Sequence, residues 1–312
     1  MAKAHSRVCL VGEDLDWTGG MSILCPINLY TEITINSNNS NNIIIKSMNK
    51  TKYILLNQLN NYNYNADFFD YIIAGLKTFF NFYLVSYVGI NIEIESNIPI
   101  KSGLSSSAAL FIALFKELGR FYNIKISIDE LCQLGRMTEV NELKAVVGTM
   151  DFYACAVDKI ILFNEQEMKI KKYNYSFDKN KIVLIYSGVS SSTKTVNKGK
   201  KTRFEMKEKN FMNYVKYGNE LVKRLDHQLS INAEISEIGE TVFKAHDIMK
   251  KYLKNSNEII DKIVDICKKN GAYGAKLTGC GEGGYVFCVI SLKKLKRLCK
   301  NLEEENLYYS VI

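Results

Sequence analysis

Residues 7–20, RVCLVGEDLDWTGG, run from an apolar strand into a turn that carries Glu13, Asp14 and Asp16 within four positions. Carboxylates that close repel one another unless a cation or a hydrogen-bond donor stands among them, and Arg7 supplies a cation in the same segment. In a cleft, such a turn suits the hydroxyls of a polyol or an amine and disfavours an anion; on an open surface, water alone would relieve the repulsion. A second segment, residues 102–109 (SGLSSSAA), opens a helix. Free N–H groups and the positive dipole end, with Gly103 admitting backbone approach and Ser105, Ser106 and Ser107 offering hydroxyls, make a cradle for phosphate oxygens or a metal ion. An ordinary serine N-cap uses the same residue types. No GxxxxGK[ST] sequence occurs, which excludes a Walker-type loop. The third segment, residues 271–284 (GAYGAKLTGCGEGG), is a strand entering a glycine-rich loop. Its glycines at 279, 281, 283 and 284 allow backbone to approach a ligand, and they suit a plain β-hairpin equally well.

The elements that must position these groups alternate in type. Strands are expected over 7–11, 22–35 and 42–45, then an asparagine-rich loop over 57–65, a helix over 66–85 and a strand over 88–95. Pro99 closes a strand, and the stripe Ala108, Phe111, Phe115, Leu118, Tyr122 marks a buried helix after the serines. Helices are expected over 127–142 and 150–158, and strands over 160–163 and 182–186. The second half reads as helices over 202–225, 235–253 and 257–268, strands over 275–278 and 285–290, and a last helix and strand over 292–301 and 307–312. Alternation in both halves predicts two α+β layers meeting at a cleft, with a boundary near 177–187.

Composition narrows the partners. With 312 residues, 47% hydrophobic and 24% charged, the chain suits a soluble globular protein and excludes wholesale disorder. Lys and Arg exceed Asp and Glu by 41 to 33, net +8, which suits nucleic acid, a membrane surface or a phosphate-rich small molecule. The basic runs 198–209 (KGKKTRFEMKEK) and 293–300 (KKLKRLCK) read as solvated helix faces. They have little aromatic interleaving and belong to no recognisable nucleic-acid module, so no nucleic-acid partner is expected. Eight cysteines without a CxxC pair read as reduced thiols of a cytoplasmic protein. No apolar run is long enough for a membrane span, and the first is too short for a signal peptide. Three scattered histidines, His5, His227 and His246, leave little material for a metal site or a Ser-His-Asp triad.

Taken in order, the three segments resemble the motifs of the GHMP kinases, the family of galactokinase, homoserine kinase, mevalonate kinase and phosphomevalonate kinase, and the likeness spans residues 7–290. RVCLVGEDLDW is similar to the galactokinase sugar signature R-x-N-L-I-G-E-H-x-D-Y. This implies that Arg7, Gly12, Glu13, Asp14 and Asp16 line the acceptor site, with Asp14 replacing histidine and Trp17 replacing tyrosine. IPIKSGLSSSAAL resembles the loop P-x-G-x-G-L-S-S-S-A, although Lys101-Ser102 stand where Gly-x is usual. It implies ATP contacts from Lys101, Ser102, Gly103, Leu104, Ser105, Ser106, Ser107 and Ala108, with Ser107 beside Mg²⁺. AKLTGCGEGGYV is nearer the mevalonate kinase form K-L-T-G-A-G-G-G-G and implicates Thr278, Gly279, Gly281 and Gly283. GTMD, from Gly148 to Asp151, looks like the galactokinase G-I-M-D, which implies that Asp151 is the catalytic base. Glu139 then stands where the family keeps its magnesium-binding glutamate, and Arg7 would stabilise the ionised Asp151. Asp151 at a helix start also reads as an N-cap.

The resemblance implies an α+β, two-domain fold: a ribosomal protein S5 domain 2-like domain over 1–180 and a ferredoxin-like α/β sandwich over 181–312, with the active site in the cleft between them. It implies an ATP- and Mg²⁺-dependent phosphotransferase, a monomer or homodimer, acting on a small hydroxyl compound. Because Glu13, Asp14 and Asp16 would repel a carboxylate, a sugar phosphorylated at its anomeric hydroxyl is expected ahead of a mevalonate- or amino-alcohol-type acceptor. The added acid at Asp14 favours a sugar with a further donor, such as an amino sugar. A non-catalytic sugar or nucleotide sensor on the same fold is a third reading, against which the presence of both Glu139 and Asp151 speaks.

Overall fold

The structure is a computed structural model that describes residues 1–99, 102–177, 180–190 and 193–312. Its chain forms two compact units that interleave in sequence.

The first unit comprises Met1–Ser6, Asn28–Ile98 and Ser105–Ala156. Strand β1 (Ala2–Val11) pairs with the long strand β2 (Met21–Ser37), and each passes from one unit into the other. Within this unit the end of β2 pairs antiparallel with β5 (Ile90–Ser96). In turn, β5 runs parallel to β3 (Asn42–Ser47), which pairs antiparallel with β4 (Lys50–Leu55). Alternate isoleucines, Ile33, Ile35, Ile43, Ile45, Ile92 and Ile94, are buried, as period-two patterning requires of a sheet with one covered face. Two helices, α1 (Phe69–Tyr83) and α2 (Ser106–Phe121), share an aromatic core: Phe79 stacks on Phe115 at 6.4 Å. Of the expected stripe, Ala108, Phe111, Phe115 and Leu118 are buried, whereas Tyr122 stands at the C-cap beyond the helix and is half-buried. Helix α3 (Ile128–Met137) starts at a capping box between Ser127 and Glu130 and ends in one π-helical turn, Thr138–Glu142. Gly135 lets α3 approach α4 (Met150–Ala156), since a Cβ there would lie 2.5 Å from the Phe152 ring. That contact carries Glu139 and Asp151 on neighbouring elements.

The second unit comprises Arg7–Ile27, Pro99–Leu104 and Val157–Ile312. Here the first part of β2 pairs with β6 (Ile161–Asn164), and β6 with β7 (Lys169–Lys172). A separate antiparallel sheet contains β8 (Asn180–Tyr186), β9 (Gly274–Thr278), β10 (Tyr285–Ser291) and β11 (Tyr309–Val311), in the order β11-β8-β10-β9. Between β8 and β9 come α5 (Thr193–Glu205), α6 (Lys209–Ser230), α7 (Ile235–Ile248) with a π-helical turn Met249–Leu253, and α8 (Glu258–Lys269); α9 (Leu292–Glu304) precedes β11. Numbered along the chain, that sheet order is 4-1-3-2, the ferredoxin-like split βαβ arrangement.

Several expectations change in detail. Strands β4 and β7 stand where none was read, because each is a short, half-exposed edge with little apolar alternation. The helix expected over 202–225 is two helices, broken where Lys207 adopts a positive φ of 51°. A single division after residue 180 does not describe the compact units, whose segments alternate along the chain. All eight cysteines are unbridged. Among the described residues no helix is long and apolar enough to cross a membrane.

Candidate active site

In the second unit the acidic turn is tied down by lysines. Glu13 is fully buried. Its Oε2 accepts from Lys276 Nζ at 2.8 Å, its Oε1 accepts the Gly279 N–H, and its carbonyl accepts the Tyr214 hydroxyl. Lys276, on β9 and equally buried, also donates to the carbonyls of Leu277 (2.8 Å) and Cys9 (3.0 Å), so all three of its protons are used. Burial raises the Glu13 pKa, but Lys276 and then Arg7 outweigh it and hold the carboxyl below its ordinary value. Asp14, at φ 63°, accepts from Lys200 Nζ (2.5 Å) and from the Trp17 indole (3.4 Å). Burial pushes its carboxyl up against the pull of Lys200. The two departures from the galactokinase signature, Asp14 and Trp17, thus touch each other. Asp16 is buried at the start of a single 3₁₀ turn, Asp16–Thr18.

The same unit joins the first part of the serine-rich segment to the third motif. The Arg7 guanidinium donates to the Gly103 carbonyl at 2.9 Å, and Thr278 Oγ1 accepts the Cys9 N–H. Gly103 (φ 74°) and Gly279 (φ 88°) pass so closely that a Cβ on Gly279 would lie 2.5 Å from the Gly103 Cα. Residues 274–289 form a β-hairpin, as one reading of the motif expects, and the backbone that its loop approaches is that of Gly103. Gly281 packs on Asn255, and Gly283 on the Val189 carbonyl. Ser102 donates to the Pro99 carbonyl and accepts the Leu104 N–H, which shapes the turn. Lys101 lies outside the described residues, and the side chains of Leu104 and Ala108 belong to the core.

In the first unit, Ser105 opens α2 in a left-handed conformation (φ 56°) and makes no side-chain cap. Its buried Oγ has no partner, so the ordinary N-cap role is not the one it plays. Ser106 is half-exposed. Ser107 hydrogen-bonds Glu139, on the π-helical turn, and the charge of Asp151 acts on the same carboxyl. Burial pushes the Glu139 pKa up, the Ser107 hydrogen bond pulls it back and Asp151 raises it again, to about 7. Asp151 lies within the first turn of α4, after Gly148 and the buried Thr149, and α4 starts at Met150. Hydroxyl and carboxylate oxygens are the hard donors that Mg²⁺ takes alongside water and phosphate.

Sequence reasoning missed Lys276 and Lys200. The first was legible as a lysine between Ala275 and Leu277 in an inward-facing strand; the second was hidden in the run KGKKTR.

Comparison with known proteins gives the family. Residues 70–159 match the profile described as GHMP kinases N terminal domain, and residues 229–307 match GHMP kinases C terminal. A mevalonate kinase of Methanocaldococcus jannaschii is 31% identical over 96% of this chain and 95% of its own. A galactokinase of Thermosipho africanus is 29% identical over 99% and 93%. Among solved structures, Methanococcus jannaschii mevalonate kinase has a TM-score of 0.85 at 28% identity, covering 99% of this chain and 96% of that one. Lactococcus lactis galactokinase complexed with galactose has a TM-score of 0.87 at 19% identity over 99% and 92%, a likeness of fold. The family match and these relatives make the chain a phosphotransferase with an alcohol group as acceptor. The chain belongs to the GHMP kinase family, whose members take ATP as the phosphate donor, and it acts on a sugar or alcohol.

Proposed function

We propose that this kinase transfers the γ-phosphate of ATP to a hydroxyl of an uncharged sugar, the anomeric hydroxyl. The observation that carries the reading is the internal pairing of the acidic turn: Glu13 with Lys276 and Asp14 with Lys200, while Arg7 acts on Glu13. Three carboxylates beside three cations sum to no net charge, surroundings that suit a neutral polyol held by hydrogen bonds. The galactokinase of Thermosipho africanus, similar over nearly the whole chain, supports a sugar. In this reading Asp151 accepts the proton of the attacking hydroxyl, and the α2 N-terminus at Ser105, Ser106 and Ser107 binds phosphate oxygens. Ser107 and Glu139 would hold Mg²⁺, which fits a carboxyl that burial and Asp151 leave titrating near neutrality for want of a counter-charge. When bound, Mg²⁺ neutralises charge on the transferring phosphates.

The same pairing removes the objection to a second reading, which a relative favours. With Lys276 and Lys200 in place, the turn no longer repels a carboxylate as its sequence suggested, and the Methanocaldococcus jannaschii mevalonate kinase is 31% identical. A mevalonate-type acceptor is therefore the alternative. Incubation with Mg-ATP and a panel of hexoses, pentoses, amino sugars, mevalonate and homoserine, with ADP release measured and the product mapped by NMR, separates the two. A sugar 1-phosphate supports the first and phosphomevalonate the second. Asp151→Asn should lower kcat by about 10²–10⁴-fold while ATP binding, followed by calorimetry, stays near wild type; full activity in that variant removes Asp151 as base.

A further inference from the structure

We infer that Lys200 is a positioning residue for the acceptor: it fastens Asp14, and with it the acidic turn, to the third-motif loop. This rests on the reading that the turn binds the acceptor. Helix α5 is polar along most of its length, yet Val196, Lys200 and Phe204 recur every fourth residue on one face, and the lysine stands where an apolar residue would complete the stripe. Only 4% of the Lys200 side chain is exposed. Its ammonium reaches Asp14 Oδ2 at 2.5 Å and the Cys280 carbonyl at 2.6 Å, so a single side chain joins both motifs to α5. One turn on, Phe204 packs edge-on against Trp17 at 5.7 Å, and the Trp17 indole holds the other Asp14 oxygen. Arg203 anchors the helix to the carbonyls of Leu253 (2.6 Å) and Tyr252 (3.1 Å).

Both Asp14 oxygens are thus occupied within the protein. The carboxylate shapes the turn, holding a left-handed residue in place, and an amino group on the acceptor is not needed to satisfy it. Among the described residues, Glu13 and Tyr214 are the other titratable groups whose charges act with that of Asp14. Without the lysine, a buried carboxylate beside Glu13 ionises only at a cost to the turn.

The test uses the full chain, with the acceptor that the panel identifies. Lys200→Met should raise the acceptor KM roughly tenfold, with kcat and the KM for ATP within about twofold of wild type. Divided by the wild-type profile, that KM should climb further as pH rises through the ionisation of the unpaired Asp14. Lys200→Arg restores the charge and should return a low, pH-independent KM. Asp14→Asn/Lys200→Met removes the charge and should abolish the pH dependence while KM stays high. An unchanged acceptor KM in Lys200→Met, or a pH dependence that persists in the double variant, overturns the inference. If Lys200→Met does not fold, the arginine variant and the double variant still decide: a KM as high for arginine as for the double variant overturns it. A wild-type protein that turns over no acceptor counts against the functional reading alone. The tie between Lys200 and Asp14 is then read from thermal unfolding, in which Lys200→Met should lose more stability than the wild type as pH rises, and Asp14→Asn/Lys200→Met should not show that excess loss.

Discussion

Glu139 shows how burial writes a protonation state into the fold. Its folded pKa of about 7 lies above the value near 4.3 that an unfolded glutamate has. A carboxyl raised on folding contributes stability while it is protonated in both states, and that contribution is lost as pH climbs through the folded value. At about 1.4 kcal/mol per unit, the metal-free protein should lose about 3 kcal/mol relative to Glu139→Gln between pH 4.5 and 8. Urea unfolding of the two proteins across that range checks it, and parallel profiles would show that the carboxyl is not perturbed. The acidic turn marks the limit of what residue types disclose. Glu13, Asp14 and Asp16 were legible as a cluster because they are adjacent, whereas their partners lie 263 and 186 residues away. Two of the cations in a net excess of eight are therefore internal counter-charges, and the run 198–209 is in part an inward-facing helix.

At the scale of elements, the α2 N-terminus and the third-motif hairpin were readable because helix stripe, serines and glycines sit in short, contiguous stretches. What could not be read was the contact of one glycine with another. Gly279→Ala would place a methyl group against the Gly103 backbone at a φ that alanine rarely adopts, costing roughly 1–3 kcal/mol. With ATP phosphates bound at the serine loop as proposed, it should also weaken ATP binding, because that loop is what the added carbon displaces; calorimetric titration with ATP measures this, and wild-type affinity would count against the proposed role of the loop. The π-helical turns after α3 and α7 were hidden for a related reason, since their sequences continue the helical pattern and only the backbone changes its hydrogen bonding.

For the whole molecule, alternation of helix and strand predicted the α+β class, but the chain's route between its units lies beyond local pattern. Residues 7–27 belong with Val157–Ile312, so a fragment ending at residue 180 keeps the first unit entire and leaves Glu13 and Asp14 without Lys276 and Lys200. Such a fragment should expose apolar surface, bind a hydrophobic dye and lack a cooperative thermal transition until it is co-expressed with residues 181–312. A sharp transition from the fragment alone would show that 1–180 folds independently. The cysteines bring one more consequence. Six are buried, and of the two half-exposed ones Cys280 lies on the loop whose carbonyl Lys200 holds. In a Cys299→Ser background, a maleimide dye should therefore label one thiol per molecule in the native state, and, with the acceptor bound at the turn as proposed, its emission should change on acceptor binding, giving a continuous optical signal of occupancy that needs no turnover.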